Sequence, residues 1–358
     1  MDTTLKIIKT ENSRLGDFDF NNMPGFGNAF SDHMFEADFI DGEWKNFTIR
    51  PLSNFSIHPA NLTLHYGQAI FEGMKASLSK EGTPFIFRPF DHAKRLNMSA
   101  ARMSMPSFPE DVFVDVLEKL IMIDKDWIPP MEGSAMYIRP FMFAMDGLIG
   151  VKPSQTYKFM ILLLPVGAYY NKPLYLKVET EYVRAVRGGI GEAKAAGNYA
   201  ASLYPYVEAK KEGFDQVLWL DAIELKYVQE ISTMNIFFVL KDKVITPALD
   251  GALLKGITRD CFIKILKSKN IPIEETKINI YEIFELYKKG ELLEVFGAGT
   301  AAIVANVDRL SLKGEVIQLD VSKYTISPMI MSTINKIRSG EYPDDFGWLK
   351  PVVQEVFA

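Results

Sequence analysis

Lys194 stands among residues too small to shield it. Ala193, Ala195 and Ala196 flank it and Gly191 and Gly197 bracket them, in the run RGGIGEAKAAGN. A surface lysine ordinarily sits among polar residues on a helix. Small neighbours instead let backbone and a flat ligand approach, and a desolvated amine is a competent nucleophile for Schiff-base chemistry. Tyr199, five residues on, could bring a phenol to the same place. Glu230 lies in the apolar-flanked stretch YVQEISTMNIFF and is the only carboxylate between Glu224 and Asp242. A buried carboxylate needs a cation, and a protonated pyridine nitrogen would serve. Taken singly, each of these residues also has an ordinary structural reading.

Glycine clusters supply the complementary chemistry. GITRD, from Gly256 to Asp260, places Gly and then Thr at the start of an amphipathic helix. Backbone N–H groups there, with a hydroxyl, make a phosphate cradle that needs no lysine. FGAGTAA is a second such cradle, and with the isolated turn lysine it suggests a small phosphorylated cofactor. RGGIGEAKAAGN misses the dinucleotide fingerprint because Lys194 occupies the third small position, and it has no P-loop order. FGAGTAA does fit the loose G-x-G-x-x-A form at Gly297, Gly299 and Ala302 after a strand-like run. A nicotinamide-dependent oxidoreductase therefore stays open, although the following AAIVAN resembles a strand more than the helix such a site needs.

The elements that must position these residues can be read from hydrophobic periodicity. An Asn-, Gly- and Phe-rich arm ending in MPGFGNAFSDHM leads into short β-rich runs to about residue 100. A helix with Ala93, Leu96 and Ala100 on one face is expected from near Asp91, and Pro106 and Pro109 separate it from VFVDVLEKLIMIDKDWI. AMYIRPFMFAMDG and YKFMILLLPVG read as strands. In the second half, helices are expected over SLYPYVEAKKEG, RDCFIKILKSKN and SPMIMSTINKIRSGEYP. Strands are expected over QVLWLDA, YVQEIS, MNIFFVLK, LLEVFGAG and AAIVANVDRL. The fold class is α/β (α+β): a smaller N-terminal α+β domain over 1–166, a linker over 167–178, and a larger mixed α/β domain over 179–358.

The 358 residues are 48% hydrophobic and 24% charged, the balance of a globular protein and not of a disordered chain or collagen-like fibre. Forty basic residues against 45 acidic ones, without a basic block, argue against nucleic acid as partner. The apolar run Phe159 to Val166 is too short to span a bilayer, and no signal-peptide core precedes the arm. One cysteine, Cys261, favours a reducing, cytoplasmic setting, and with only four histidines a metal site is poorly supplied.

The segments LHYGQAIFEGMKA, FRPFDHAKRLNMSAARM, YIRPF, GGIGEAKAAGNYAASL, QEISTMNIFF, GITRD and FGAGTAA occur in this order from about Phe26 to beyond Asn306. Together they resemble the branched-chain amino acid aminotransferases, two-domain fold-type IV enzymes that use pyridoxal 5'-phosphate. The resemblance implies that Lys194 is the Schiff-base lysine and proton shuttle, that Tyr199 bonds the cofactor's O3', and that Glu230 keeps the pyridine nitrogen protonated. It implies phosphate contacts from Arg95, Ile257, Thr258 and Thr300, with Thr233 on the same side. Arg88 and Arg102 are rivals for the arginine's place. Phe26, Tyr66, Phe71, Lys75, Tyr137, Arg139 and Ala301 would form the substrate pocket, with the cofactor between the domains and a homodimer closing each site. Reversible transamination of leucine, isoleucine or valine with 2-oxoglutarate follows as the expected activity. D-amino acid aminotransferase and aminodeoxychorismate lyase are alternatives within the fold, against which YIRPF and FEGMKA argue. Ala302 and Ala305 replace the thiol pair of mammalian members, so thiol control is not expected. Gln229 and Ser232 also depart from the commonest family residues, without a derivable consequence.

Overall fold

A computed structural model describes residues 4–167 and 172–353, and the chain divides into two compact units. The first comprises Met1–Tyr169, Ala193–Ala196 and Asn335–Ala358, and the second Tyr170–Glu192 and Gly197–Ile334.

In the first unit the strands are β1 (Lys6–Ile7), β2 (His33–Ile40), β3 (Glu43–Pro51), β4 (Ala69–Phe71), β5 (Met74–Leu78), β6 (Pro84–Phe87), β7 (Ala135–Ala144) and β8 (Tyr157–Val166). Helices α1 (Leu62–Tyr66), α2 (Pro89–Arg102) and α3 (Glu110–Ile123) accompany them. The sheet order is β1-β3-β2-β8-β7-β5-β6, with β4 paired to β7, and only β1 joins in parallel. Pro89 sits at the first turn of α2, where its missing N–H is not needed. Below it, Ala93, Leu96 and Ala100 form the expected buried stripe.

In the second unit the strands are β9 (Leu174–Val178), β10 (Gln216–Leu220), β11 (Val228–Ile231), β12 (Met234–Leu240), β13 (Val244–Pro247), β14 (Ile273–Thr276), β15 (Leu292–Gly299), β16 (Ile303–Leu312) and β17 (Glu315–Gln318). Its helices are α4 (Ala196–Ala200), α5 (Leu203–Lys211), α6 (Ile257–Ser268) and α7 (Ile280–Lys288). The order is β11-β10-β9-β16-β15-β12, and β11 also pairs with β12, so six strands close into a ring. Closure removes open edges from these strands. Leu176, Leu218, Ile236, Phe238 and Val295 belong to the core built on them.

Three expectations about domains change. Residues 174–178, read as linker, are β9, a strand between β10 and β16, because Leu174, Leu176 and Val178 alternate into the core. Residues 168–171 of that linker lie outside the described residues. The division at 179–358 is redrawn because the chain returns to the first unit at Asn335, within helix α8 (Ile326–Arg338). There β18 (Leu349–Pro351) extends the sheet by pairing antiparallel with β6, and the Arg88 N–H donates to the Trp348 carbonyl at 2.7 Å. With that return the N-terminal unit is the larger of the two. No helix among the described residues is long and apolar enough to cross a membrane.

Candidate active site

The first unit fixes Lys194 by its backbone. Its N–H donates to Ser99 Oγ on α2 at 2.9 Å and its carbonyl accepts from the Phe71 N–H at 3.1 Å. A bridge between Ile70 and Ala195 extends the contact, which is why residues 193–196 belong to this unit. The Lys194 amine lies 4.9 Å from the centre of the Phe71 ring. Arg139 covers the same ring at 4.6 Å and the Tyr137 ring at 5.4 Å, and donates from Nη2 to the Tyr137 hydroxyl at 3.1 Å. Arg139 Nε is buried and has no hydrogen-bond partner among the described residues, a donor left for an anion. Phe26 meets Tyr137 edge to face at 4.9 Å. Gly73 is required here, since a Cβ would lie 2.0 Å from the Tyr137 hydroxyl. Lys75 pairs with Tyr137 across β5 and β7. Burial, and secondarily Arg338, lowers its pKa well below the usual lysine value.

Six of the expected residues, Phe26, Phe71, Lys75, Tyr137, Arg139 and Lys194, therefore gather on the first unit. Tyr66 does not join them: it is 44% exposed at the end of α1, with His65 as its ring neighbour. Arg95 is buried and bound to Glu72, whereas Arg88 bonds Asp91 at 2.8 Å and Arg102 is exposed. Glu72 was missed in the sequence, as were its other partner His92 and the anchor Ser99. The signal for the helix pair is faint, His92, Arg95 and Ser99 at spacings of three and four beside the apolar stripe of α2, and Glu72 has none.

The second unit organises itself around Glu230. This β11 residue faces Asn235 across a hairpin, and its Oε1 accepts from the Leu254 N–H at 2.8 Å and Asn235 Nδ2 at 3.3 Å. Its Oε2 lies 3.3 Å from Arg184 Nε. The cation expected for a buried carboxylate is thus present, as a residue the sequence did not single out. Arg184 also donates to the Ala252 carbonyl at 2.6 Å. Asn235 further governs the start of α6: a Cβ on Gly256 would lie 2.0 Å from its Oδ1. The N-cap, Gly256, has no side chain to cap the helix, and the buried Ile257 and half-buried Thr258 stand in its first turn.

Thr300 and Ala301, both half-buried, form the turn from β15 into β16, with Ile303 at φ +61° immediately after. A strand follows that turn, so FGAGTAA lacks the strand–turn–helix of a dinucleotide site. Its glycines serve packing instead, a Cβ on Gly299 falling 2.8 Å from Met234 Cγ. Tyr199 is half-buried on α4, and Asn198 beside it donates to the Ile190 carbonyl at 2.8 Å. Thr233 is exposed at the hairpin turn, next to Ser232 at φ +47°.

The model of the family described as amino-transferase class IV matches residues 69–310. The chain belongs to that family. This class IV aminotransferase is 46% identical over 330 residues to branched-chain-amino-acid transaminase 1 of Bacillus subtilis, covering 90% of this chain and 93% of that protein. Among solved structures, the Escherichia coli branched-chain amino acid aminotransferase superposes with a TM-score of 0.73 at 28% identity, covering 90% of this chain and 99% of that one. A T.th. branched-chain amino acid aminotransferase complexed with N-(5'-phosphopyridoxyl)-L-glutamate gives 0.72 at 25%, covering 88% and 98%.

Proposed function

We propose that this class IV aminotransferase is a branched-chain amino acid transaminase, exchanging the amino group of leucine, isoleucine or valine with 2-oxoglutarate on pyridoxal phosphate. The observation that carries the reading is Lys194: its main chain is pinned on both sides while its amine lies over Phe71, in an aromatic cluster that also holds Arg139. The relatives' names support the substrate class.

The residues fit the cofactor. Lys194, Arg95, Tyr199, Glu230, Thr233, Ile257, Thr258 and Thr300 would hold it. Once bound, it supplies an electron sink for the bond broken at the substrate's α carbon. Lys194 Nζ carries the proton to and from that carbon. Glu230, already oriented by Leu254 and Asn235, keeps the ring nitrogen protonated, and Tyr199 donates to the ring hydroxyl oxygen. Arg95, the first turn of α6 and the hydroxyls of Thr258 and Thr300 receive the phosphate. Phe26, Phe71 and Tyr137 shape the apolar pocket, Lys75 and Arg139 its polar wall, and the Ala301 amide meets the α-carboxylate.

A homodimer accounts for the first unit's exposed apolar residues, Leu64 and Tyr66 on α1 and Ile149 and Val151 in the loop before β8. The single, buried Cys261 accords with a cytoplasmic setting.

The test is the visible spectrum of the purified protein before and after borohydride reduction, with the labelled peptide identified by mass. A yellow protein that loses its band and carries the label on Lys194 supports the reading. A protein left colourless and unlabelled after incubation with pyridoxal phosphate overturns it. Assays with branched-chain, acidic, aromatic and D-amino acids then test the substrate class.

A further inference from the structure

Glu72 has no part in the chemistry above, yet it is completely buried and both its oxygens are engaged. Oε1 accepts from Arg95 Nε at 2.7 Å, and Oε2 from Arg95 Nη2 at 2.8 Å, His92 Nδ1 at 2.7 Å and the Gly73 N–H at 3.2 Å. Burial alone would raise the pKa of this carboxyl. The charges and hydrogen bonds of Arg95 and His92 outweigh it and hold the group well below the ordinary carboxylate range. A buried ion pair is weak as a source of stability, because desolvation offsets most of the attraction. Its distinctive product is orientation. A carboxylate that takes Nε and one Nη side-on fixes the plane and direction of the guanidinium.

The same few residues also fix the lysine. His92, Arg95 and Ser99 lie along one side of α2, and Ser99 Oγ accepts from the Lys194 N–H. Phe71, which donates to the Lys194 carbonyl, directly precedes Glu72, whose own N–H donates to the Pro140 carbonyl at 2.7 Å. The backbone that sets the lysine and the carboxylate that sets the arginine are thus consecutive residues facing one helix.

We propose that Glu72 is a positioning residue: it holds Arg95 in the orientation that receives the cofactor's phosphate, in register with Lys194. The proposal rests on the pyridoxal phosphate reading and on Arg95 as its phosphate ligand. Wild type, Glu72→Gln, Arg95→Gln and the double variant are purified, stripped of cofactor and retitrated with pyridoxal phosphate and with pyridoxal. Binding is read from the visible band, and folding from circular dichroism. Glu72→Gln is expected to weaken pyridoxal phosphate by about 10–100-fold, leave pyridoxal within about twofold, and add nothing in the Arg95→Gln background. If Glu72→Gln does not fold, Glu72→Asp, which keeps the charge but withdraws it by one methylene, is titrated in the same way. Unchanged pyridoxal phosphate affinity, equal losses for both ligands, or a full added loss in the Arg95→Gln background would each overturn the positioning role. A wild type that binds neither ligand overturns the cofactor reading instead.

Discussion

An amide in place of Glu230 keeps the oxygen that Leu254 and Asn235 bond but withdraws the charge that faces Arg184. Glu230→Gln is therefore expected to melt below wild type, through the buried cation left unpaired, while kcat falls on the order of 10²-fold, the usual effect of removing one charge-stabilising group. Stopped-flow single turnovers with leucine check it, and an unchanged rate removes the role. His92 offers a test by pH. Burial, followed by the neighbouring Arg95 and Lys194 charges, depresses its pKa below 6.5 despite the opposing pull of Glu72. Folded His92 stays neutral where the unfolded chain takes up a proton, so its contribution to stability is complete above 6.5 and is lost on acidification. Glu72, also depressed, adds its own loss only once the pH falls below 4.5. Melting temperature should decline between 6.5 and 4.5, and His92→Asn should flatten that limb. At this scale short motifs were enough to single out Lys194, Glu230 and Thr258 as candidates, and the structure pins the main chain of the first and bonds the carboxylate of the second. Glu72 and Arg184 were not legible, because each meets its partner from a distant segment, and a lone carboxylate or arginine carries no sign of that pairing.

The start of α6 shows how an element can depend on one missing atom. Gly256 has an ordinary φ of −68°, so its identity answers to space and not to backbone freedom. Gly256→Ala forces Asn235 Oδ1 away, and with it a donor to Glu230. The expected cost is about 1–3 kcal/mol, read as a lower urea midpoint, together with weaker phosphate binding. Wild-type values on both would sink the link between helix start and carboxylate. Periodicity located α2, α3, α6 and most strands because apolar stripes are local. It lost β9 because Pro173 and the polar residues around it resemble a connection, while the burial that makes it a strand comes from β10 and β16 on either side. FGAGTAA was ambiguous for a related reason: the same glycines suit a phosphate loop or a tight hairpin, and only the element that follows decides.

The chain contributes to its first unit three times, the middle visit being the four residues that carry Lys194. The third visit is invisible to periodicity, since β18 is only three residues long and pairs with a strand from the opposite end of the sequence. Truncation before Trp348 should bare the edge of β6 and break the Arg88–Trp348 contacts. Lower melting and concentration-dependent light scattering are expected, as from any uncovered strand edge, whereas a truncated chain as stable and monodisperse as the full one would show the edge needs no cover. The same pairing bears on synthesis. About 260 residues separate β6 from β18, and at roughly 5–20 residues per second a ribosome needs on the order of 10–50 s to supply the partner strand. For that interval the nascent chain has made most of its first sheet but carries an open margin, while the whole second unit emerges behind it. Helpers that shield nascent chains would find their binding site there.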